Sequence, residues 1–145
     1  MTTKALFTCI CLTLCFNLFS QSDEDLIRHT IQNYFNGTAY NYKNQIKAAF
    51  YAEAELYLEN REGKLMKLSP TDYMDFFKGK PGEFTGRYNK ILSIDQNGNL
   101  ALVKAEITIP SVNRVYLDVF IVRKMKDNRW LIVSKAANSK PIEEK

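Results

Sequence analysis

Asp118 stands where a carboxylate is least expected. It interrupts RVYLDVFIV, residues 114–122, in which every other position from Val115 to Val122 is β-branched, aliphatic or aromatic. Such a run reads as a buried strand, a setting depleted in Asp and costly for an unpaired charge. Alternate residues of a strand share a face, so Asp118 points with Tyr116, Phe120 and Val122. Three roles follow from that placement. The carboxyl group can act as a general base or acid in an apolar site, it can orient a ligand, or it can be structural. A structural Asp118 would accept hydrogen bonds from Tyr34 or Tyr57, or pair with Lys135. Asp118 is the single best catalytic candidate. Together with Tyr34, Tyr57, Tyr116 and Phe120 it makes the candidate ligand-binding set. Tyr34 and Tyr57 sit at the centres of expected inward faces and carry hydroxyls that need partners once buried.

Other chemistry finds little support. His29 is the only histidine, and helical spacing turns it away from the apolar face. With no second His and no Cys after Cys15, no transition-metal site is expected. Asp23-Glu24-Asp25 reads as the acidic start of a helix, and IDQNGN (94–99) as a hairpin turn instead of a calcium loop. The chain has no Gly-rich phosphate loop, nucleophile elbow or Ser-His-Asp set. No cofactor is expected.

The elements that must position these residues are legible from periodicity and punctuation. SDEDLIRHTIQNYF (22–35) reads as an amphipathic helix capped by Ser22, with Leu26, Ile27, Thr30, Ile31, Tyr34 and Phe35 on one face and Gly37 as its stop. A shorter helix is expected over 43–50. AELYLE (54–59) and KLMKLS (64–69) read as strands joined at Gly63. Ser69 and Pro70 open a helix ending at Gly79. Strands over 84–95, 100–109, 114–125 and 129–137 complete the chain, linked by NGN, PSVN and KDNR turns. Pairing through the PSVN turn sets Asp118 near Ala105, with Val103 and Ile107 beside it. A one-residue slip would set it against Glu106 instead. Helices followed by a meander give an α+β class, in which a curved antiparallel sheet wraps around the N-terminal helices and leaves a cone-shaped cavity.

The first twenty residues set the context. Lys4 precedes the mostly apolar stretch Ala5–Phe19, and polar residues follow Ser20. This is the pattern of a secretory signal peptide over 1–20, and the stretch is shorter than the roughly 20 residues that span a bilayer. Cleavage after Ser20 would remove Cys9, Cys11 and Cys15, all the cysteines of the chain, and leave one domain over 21–145. A lipid-modified Cys15 is the alternative, although Leu14 stands where a small residue is expected. Export makes the location periplasmic or extracellular. Loss of Lys4 takes the formal charge from +4 to +3. With no dense Lys/Arg block, nucleic acid is not an expected partner, and no stable membrane span remains after cleavage.

The pieces IQNYFNG (31–37), KAAFYAEAELY (47–57), TDYMDFF (71–77), ILSIDQNGNLALVKAEI (91–107), YLDVF (116–120) and RWLIVSK (129–135) resemble, in order and spacing, the nuclear transport factor 2-like superfamily. The resemblance is strongest to its secreted bacterial SnoaL-like and lumazine-binding members. It implies the cone-shaped roll, also called cystatin-like, and relatives such as ketosteroid isomerase and scytalone dehydratase place polar catalytic groups inside the cone. The family often has His-Pro-Asp where this chain has Tyr51-Ala52-Glu53, so the resemblance supplies no acid–base pair. Three functions are consistent with the sequence. The leading one is a non-enzymatic exported domain binding a small apolar or aromatic ligand. The second is an isomerase- or dehydratase-like enzyme using Asp118 as base and a tyrosine to polarise a carbonyl. The third is an assembly module, a homodimer formed through Leu117, Val119, Trp130 and Ile132 as the resemblance implies.

Overall fold

The computed structural model describes residues 21–60 and 62–143. The expected signal peptide and all three cysteines lie outside these residues. The element order is α1 (Asp23–Ala39), α2 (Lys43–Ala49), β1 (Phe50–Glu59), β2 (Leu65–Leu68), α3 (Pro70–Met74), β3 (Tyr88–Asn97), β4 (Leu100–Ile109), β5 (Arg114–Lys124) and β6 (Trp130–Pro141). The class is α+β, two helices first and then one curved six-stranded sheet, with α3 inserted between β2 and β3.

α1 starts as its sequence dictates. The Ser22 hydroxyl accepts from the Asp25 amide, and the Asp25 carboxylate accepts from the Ser22 amide, a reciprocal capping box. Its inward stripe is Ile27, Thr30, Ile31, Tyr34, Phe35 and Thr38. Gly37 does not stop the helix, which runs on to Ala39. A β-carbon at Gly37 would stand 2.5 Å from Ile46 Cγ1 and 2.7 Å from the Ile46 amide nitrogen. The glycine is there because α2 crosses α1 at backbone contact. α3 opens as expected on Ser69, which forms a second capping box with Asp72. It has only five residues and gives way to turns well before Gly79.

The sheet order is β2-β1-β6-β5-β4-β3. β3, β4, β5 and β6 form the antiparallel meander, and β1 and β2 form a separate hairpin. These two parts meet where β1 lies parallel to β6. This pairing joins strands distant in sequence, and local pattern did not announce it. On β4 the inward positions are Ala101, Val103, Ala105, Ile107 and Ile109, all buried. Asp118 pairs with Ala105 on one side and Ala137 on the other, so the Ala105 register holds and Glu106 falls opposite Leu117.

One irregularity redirects a whole strand. The β5–β6 register shifts between Ile121↔Ser134 and Val122↔Ile132, leaving Val133 as the extra residue of a bulge. Trp130 and Ile132 precede the bulge and Lys135 follows it, yet all three are buried. Trp130 and Ile132 were expected on an outer, dimerising face. They are core residues instead. The Trp130 carbonyl accepts from the Thr30 hydroxyl at 2.6 Å, and its indole N–H donates to Asp23 at 3.0 Å.

Candidate functional site

The chemistry concentrates at one point, where α1, α3, β5 and β6 converge. Asp118 is 1% exposed and Lys135 2%. On the paired strands they are diagonal neighbours, since Phe120 is the residue opposite Lys135. The Lys135 ammonium stands 3.0 Å from Asp118 Oδ2. The Tyr34 hydroxyl donates to the same oxygen at 2.9 Å and shares a second hydrogen bond with the Tyr73 hydroxyl, also at 2.9 Å. Two of the three partners offered to Asp118 by the sequence, Tyr34 and Lys135, are therefore used at once.

Aromatic rings enclose the ammonium. Lys135 Nζ lies 5.5 Å from the ring centre of Tyr73, 5.8 Å from Tyr34 and 5.9 Å from Phe120. Each is within cation–π range. Tyr34 and Tyr73 stack with ring planes 17° apart, and Phe120 meets Tyr34 edge-on at 5.0 Å. Burial and the adjacent Asp118 charge push the Tyr34 phenol well above its ordinary value, so Tyr34 remains a hydrogen-bond donor. Two opposite charges here are taken out of water together, which is tolerable only because each finds partners.

Above this pair is a cavity of about 240 Å³. Asp118, Lys135 and Ala137 line its inner wall. Tyr73, Phe76, Phe77 and Tyr116 supply aromatic sides, and Leu58 and Met66 close it from β1 and β2. Glu59, Asn138 and Ser139 are also in the lining, with Arg87. Arg87 directly precedes β3, and its guanidinium lies 5.6 Å from the Phe77 ring centre. Its Nε is buried without a hydrogen-bond partner. Burial opposes the Arg87 charge, but the surrounding Tyr73, Tyr34, Asp118 and Tyr116 outweigh it and raise its pKa. Arg87 is thus a cation.

The five sequence candidates separate on this geometry. Asp118 and Tyr116 line the cavity. Tyr34 and Phe120 are fully buried behind it and hold the pair in place. Tyr57 is not brought to the site. It shares the far face of β1 with Glu55, to which its hydroxyl donates, while Leu56 and Leu58 take the near side. His29 is exposed. Among the described residues, no group of three or more His, Cys, Asp or Glu is placed to hold a metal.

The family model described as putative lumazine-binding matches residues 22–137. The chain belongs to this family. A comparison with curated proteins found no match. Among solved structures, a nuclear transport factor 2-like protein of unknown function from Shewanella baltica is similar at TM-score 0.71 and 19% identity, over 82% of this chain and 94% of that one. A nuclear transport factor 2-like protein from Methylobacillus flagellatus gives 0.69 and 25%, over 81% and 92%. A protein described as a putative ketosteroid isomerase from Shewanella frigidimarina gives 0.61 and 14%, over 81% and 98%. These likenesses establish the nuclear transport factor 2-like fold.

Within this putative lumazine-binding domain, two cavity residues escaped the reading of sequence. Tyr73 is one of three aromatic residues in TDYMDFF, and nothing in that stretch sets it apart from its neighbours. Arg87 becomes legible only once β3 is in register with β4. Asn89 pairs with Ile107 and Ile91 with Ala105, both inward positions, so counting back by two along the strand puts Arg87 on the same side.

Proposed function

We propose that this domain is an exported, non-enzymatic binder of a small planar aromatic ligand. The observation that carries the proposal is the cavity itself. Its inner wall is a buried, mutually neutralised Asp118–Lys135 pair, its sides are aromatic, and its volume of about 240 Å³ suits one or two fused rings. The Tyr34 hydroxyl and the Lys135 ammonium both meet Asp118 at Oδ2, and Oδ1 is the oxygen that would accept from a ligand N–H. Such a ring would lie among Tyr73, Phe77 and Tyr116. The family description suggests the first probe, lumazine, a bicyclic dione with N–H donors. Few convergent polar groups in a mostly apolar hollow is the usual pattern of a small-molecule site.

Proton abstraction by Asp118 is the weaker reading. A base must be free to take a proton, and Asp118 is held by Lys135 and Tyr34. The ketosteroid isomerase description belongs to a neighbour 14% identical, which supports a shared fold and no more.

Titration with lumazine, followed by its fluorescence and by NMR shifts, tests the binding proposal. Saturable one-site binding that is lost in Ala137→Phe, a variant that fills the cavity, is the expected result. If lumazine and simple fused-ring aromatics all fail to bind, and Ala137→Phe only stabilises the fold, the cavity is a packing void and the proposal falls.

We also propose assembly, in altered form, as a property alongside binding. On the outer sheet face Leu102 and Ile121 oppose each other, with Leu100 two residues along β4 on one side and Val119 two residues along β5 on the other, and Leu100, Leu102 and Ile121 are exposed. A homodimer through this patch is proposed, without Trp130 and Ile132.

A further inference from the structure

The charges around the cavity do not balance, and the imbalance says what kind of ligand belongs there. Asp118 and Lys135 satisfy each other at 3.0 Å. Arg87 has no such partner. Among the described residues no carboxylate stands within ion-pair distance of it, and its Nε is buried with no acceptor. Glu59, in the same lining, and Glu83, in an adjoining groove that also touches Arg87, are exposed side chains outside that distance. A guanidinium carries five N–H donors in a rigid fork that matches a carboxylate. Leaving a buried donor of a charged group unmet is costly. Arg87 is half-buried, and Nε is the one of its nitrogens enclosed without an acceptor; a guanidinium with no carboxylate partner beside an aromatic-walled hollow is an expected arrangement for a site that a ligand completes.

We infer that the ligand of this cavity is an aromatic carboxylate, with its ring between Phe77 and Tyr116 and its acid group on the Arg87 guanidinium. This rests on the cavity being a ligand site, as proposed above, and adds the ligand's charge. Asp118 cannot perform that role, since it would repel the acid. Lys135 is already committed to Asp118 and enclosed by three rings. Arg87 is therefore the specificity-determining residue, and it separates acids from neutral rings of the same shape.

The test pairs 2-naphthoate with its neutral isostere 2-naphthamide, by calorimetry on the protein and on Arg87→Gln and Arg87→Lys. Naphthoate is expected to bind about tenfold or more tightly than the amide, the scale of a charge-assisted hydrogen bond. Arg87→Gln should erase that preference by weakening naphthoate alone. Arg87→Lys, which keeps the charge but not the fork, should retain part of it and serves if Arg87→Gln does not fold. NMR shifts on naphthoate binding should map to Phe77, Tyr116 and Ala137. Equal affinities for acid and amide, or equal weakening of both by Arg87→Gln, would overturn the inference. So would shifts confined to Tyr40, Phe84 and Tyr88, the outer groove that Arg87 also borders. Lumazine or naphthamide binding without any preference for the acid would sink this inference and leave the binding proposal standing. Failure of every ring compound to bind would remove both.

Discussion

Asp118 and Lys135 depend on one another more than on anything else in the fold. Each is almost wholly removed from water, and removing one partner strands the other's charge. Asp118→Leu is expected to destabilise the protein by about 3–5 kcal/mol, and Lys135→Met by a similar amount. The double variant Asp118→Leu with Lys135→Met should recover most of that loss, because two apolar side chains replace two charges. Urea unfolding of the four proteins checks this. Additive losses would mean that the pair contributes nothing as a pair. At this scale the anomaly was legible. A lone Asp in an apolar strand announced a buried carboxylate, and both of its partners could be named. Tyr57 was misplaced for a reason that the sequence also contained: in AELYLE it alternates in step with Glu55, on the charged side of the strand. Arg87 was harder to see, because its inward direction depends on the register of β3 against β4 and not on its neighbours.

Elements are held by contacts that their own sequences only partly specify. Gly37 and Asp23 show the two cases. In a free helix Gly→Ala gains up to about 1 kcal/mol. Here the added carbon meets the Ile46 backbone, so Gly37→Ala should instead cost about 1–3 kcal/mol, the range for overpacking, measured as a lowered Tm. Neutral or raised stability would show that α2 shifts freely against α1. Helical periodicity placed α1 correctly, yet it could not distinguish a stopping glycine from a contact glycine. Asp23 fastens the start of α1 to the sheet. Its carboxylate is bonded by Lys124 at 2.7 Å and by the Trp130 indole at 3.0 Å. Lys124 first, then Trp130, lower its pKa from the ordinary 3.8. The unfolded chain therefore takes up the proton more readily than the folded one. The stabilisation is complete above about pH 3.8 and is lost as pH falls through the lower folded value. Wild type should unfold at higher temperature than Asp23→Asn near neutral pH, and the difference should close in acid. A gap independent of pH would assign the effect to packing instead. The bulge at Val133 was the least legible element, because no residue type in WLIVSK marks it.

For the whole molecule, class and element order were readable while the closure of the sheet was not. A meander can be inferred from turns, one at a time. The β1–β6 pairing links residues such as Phe50 and Ile132, and nothing local in either strand names the other. The outer face carries its own prediction. If Leu102 and Ile121 form the centre of a homodimer, Ile121→Lys should shift sedimentation from dimer to monomer without loss of secondary structure. A wild-type protein that sediments as a monomer at high concentration would rule the dimer out.

The position of β6 has a temporal consequence. It follows the other five described strands in sequence, yet in the sheet it lies between the β1–β2 hairpin and the β3–β5 meander. Until it arrives, a nascent chain holds two partial sheets, each ending in an unpaired edge. Lys135 arrives on the same strand, so Asp118 has no counter-charge either. Assembly must therefore wait for β6, and the contacts it completes join segments far apart in the chain, a topology associated with slow folding. The sheet therefore closes in one event, when β6 joins its two halves, and not strand by strand.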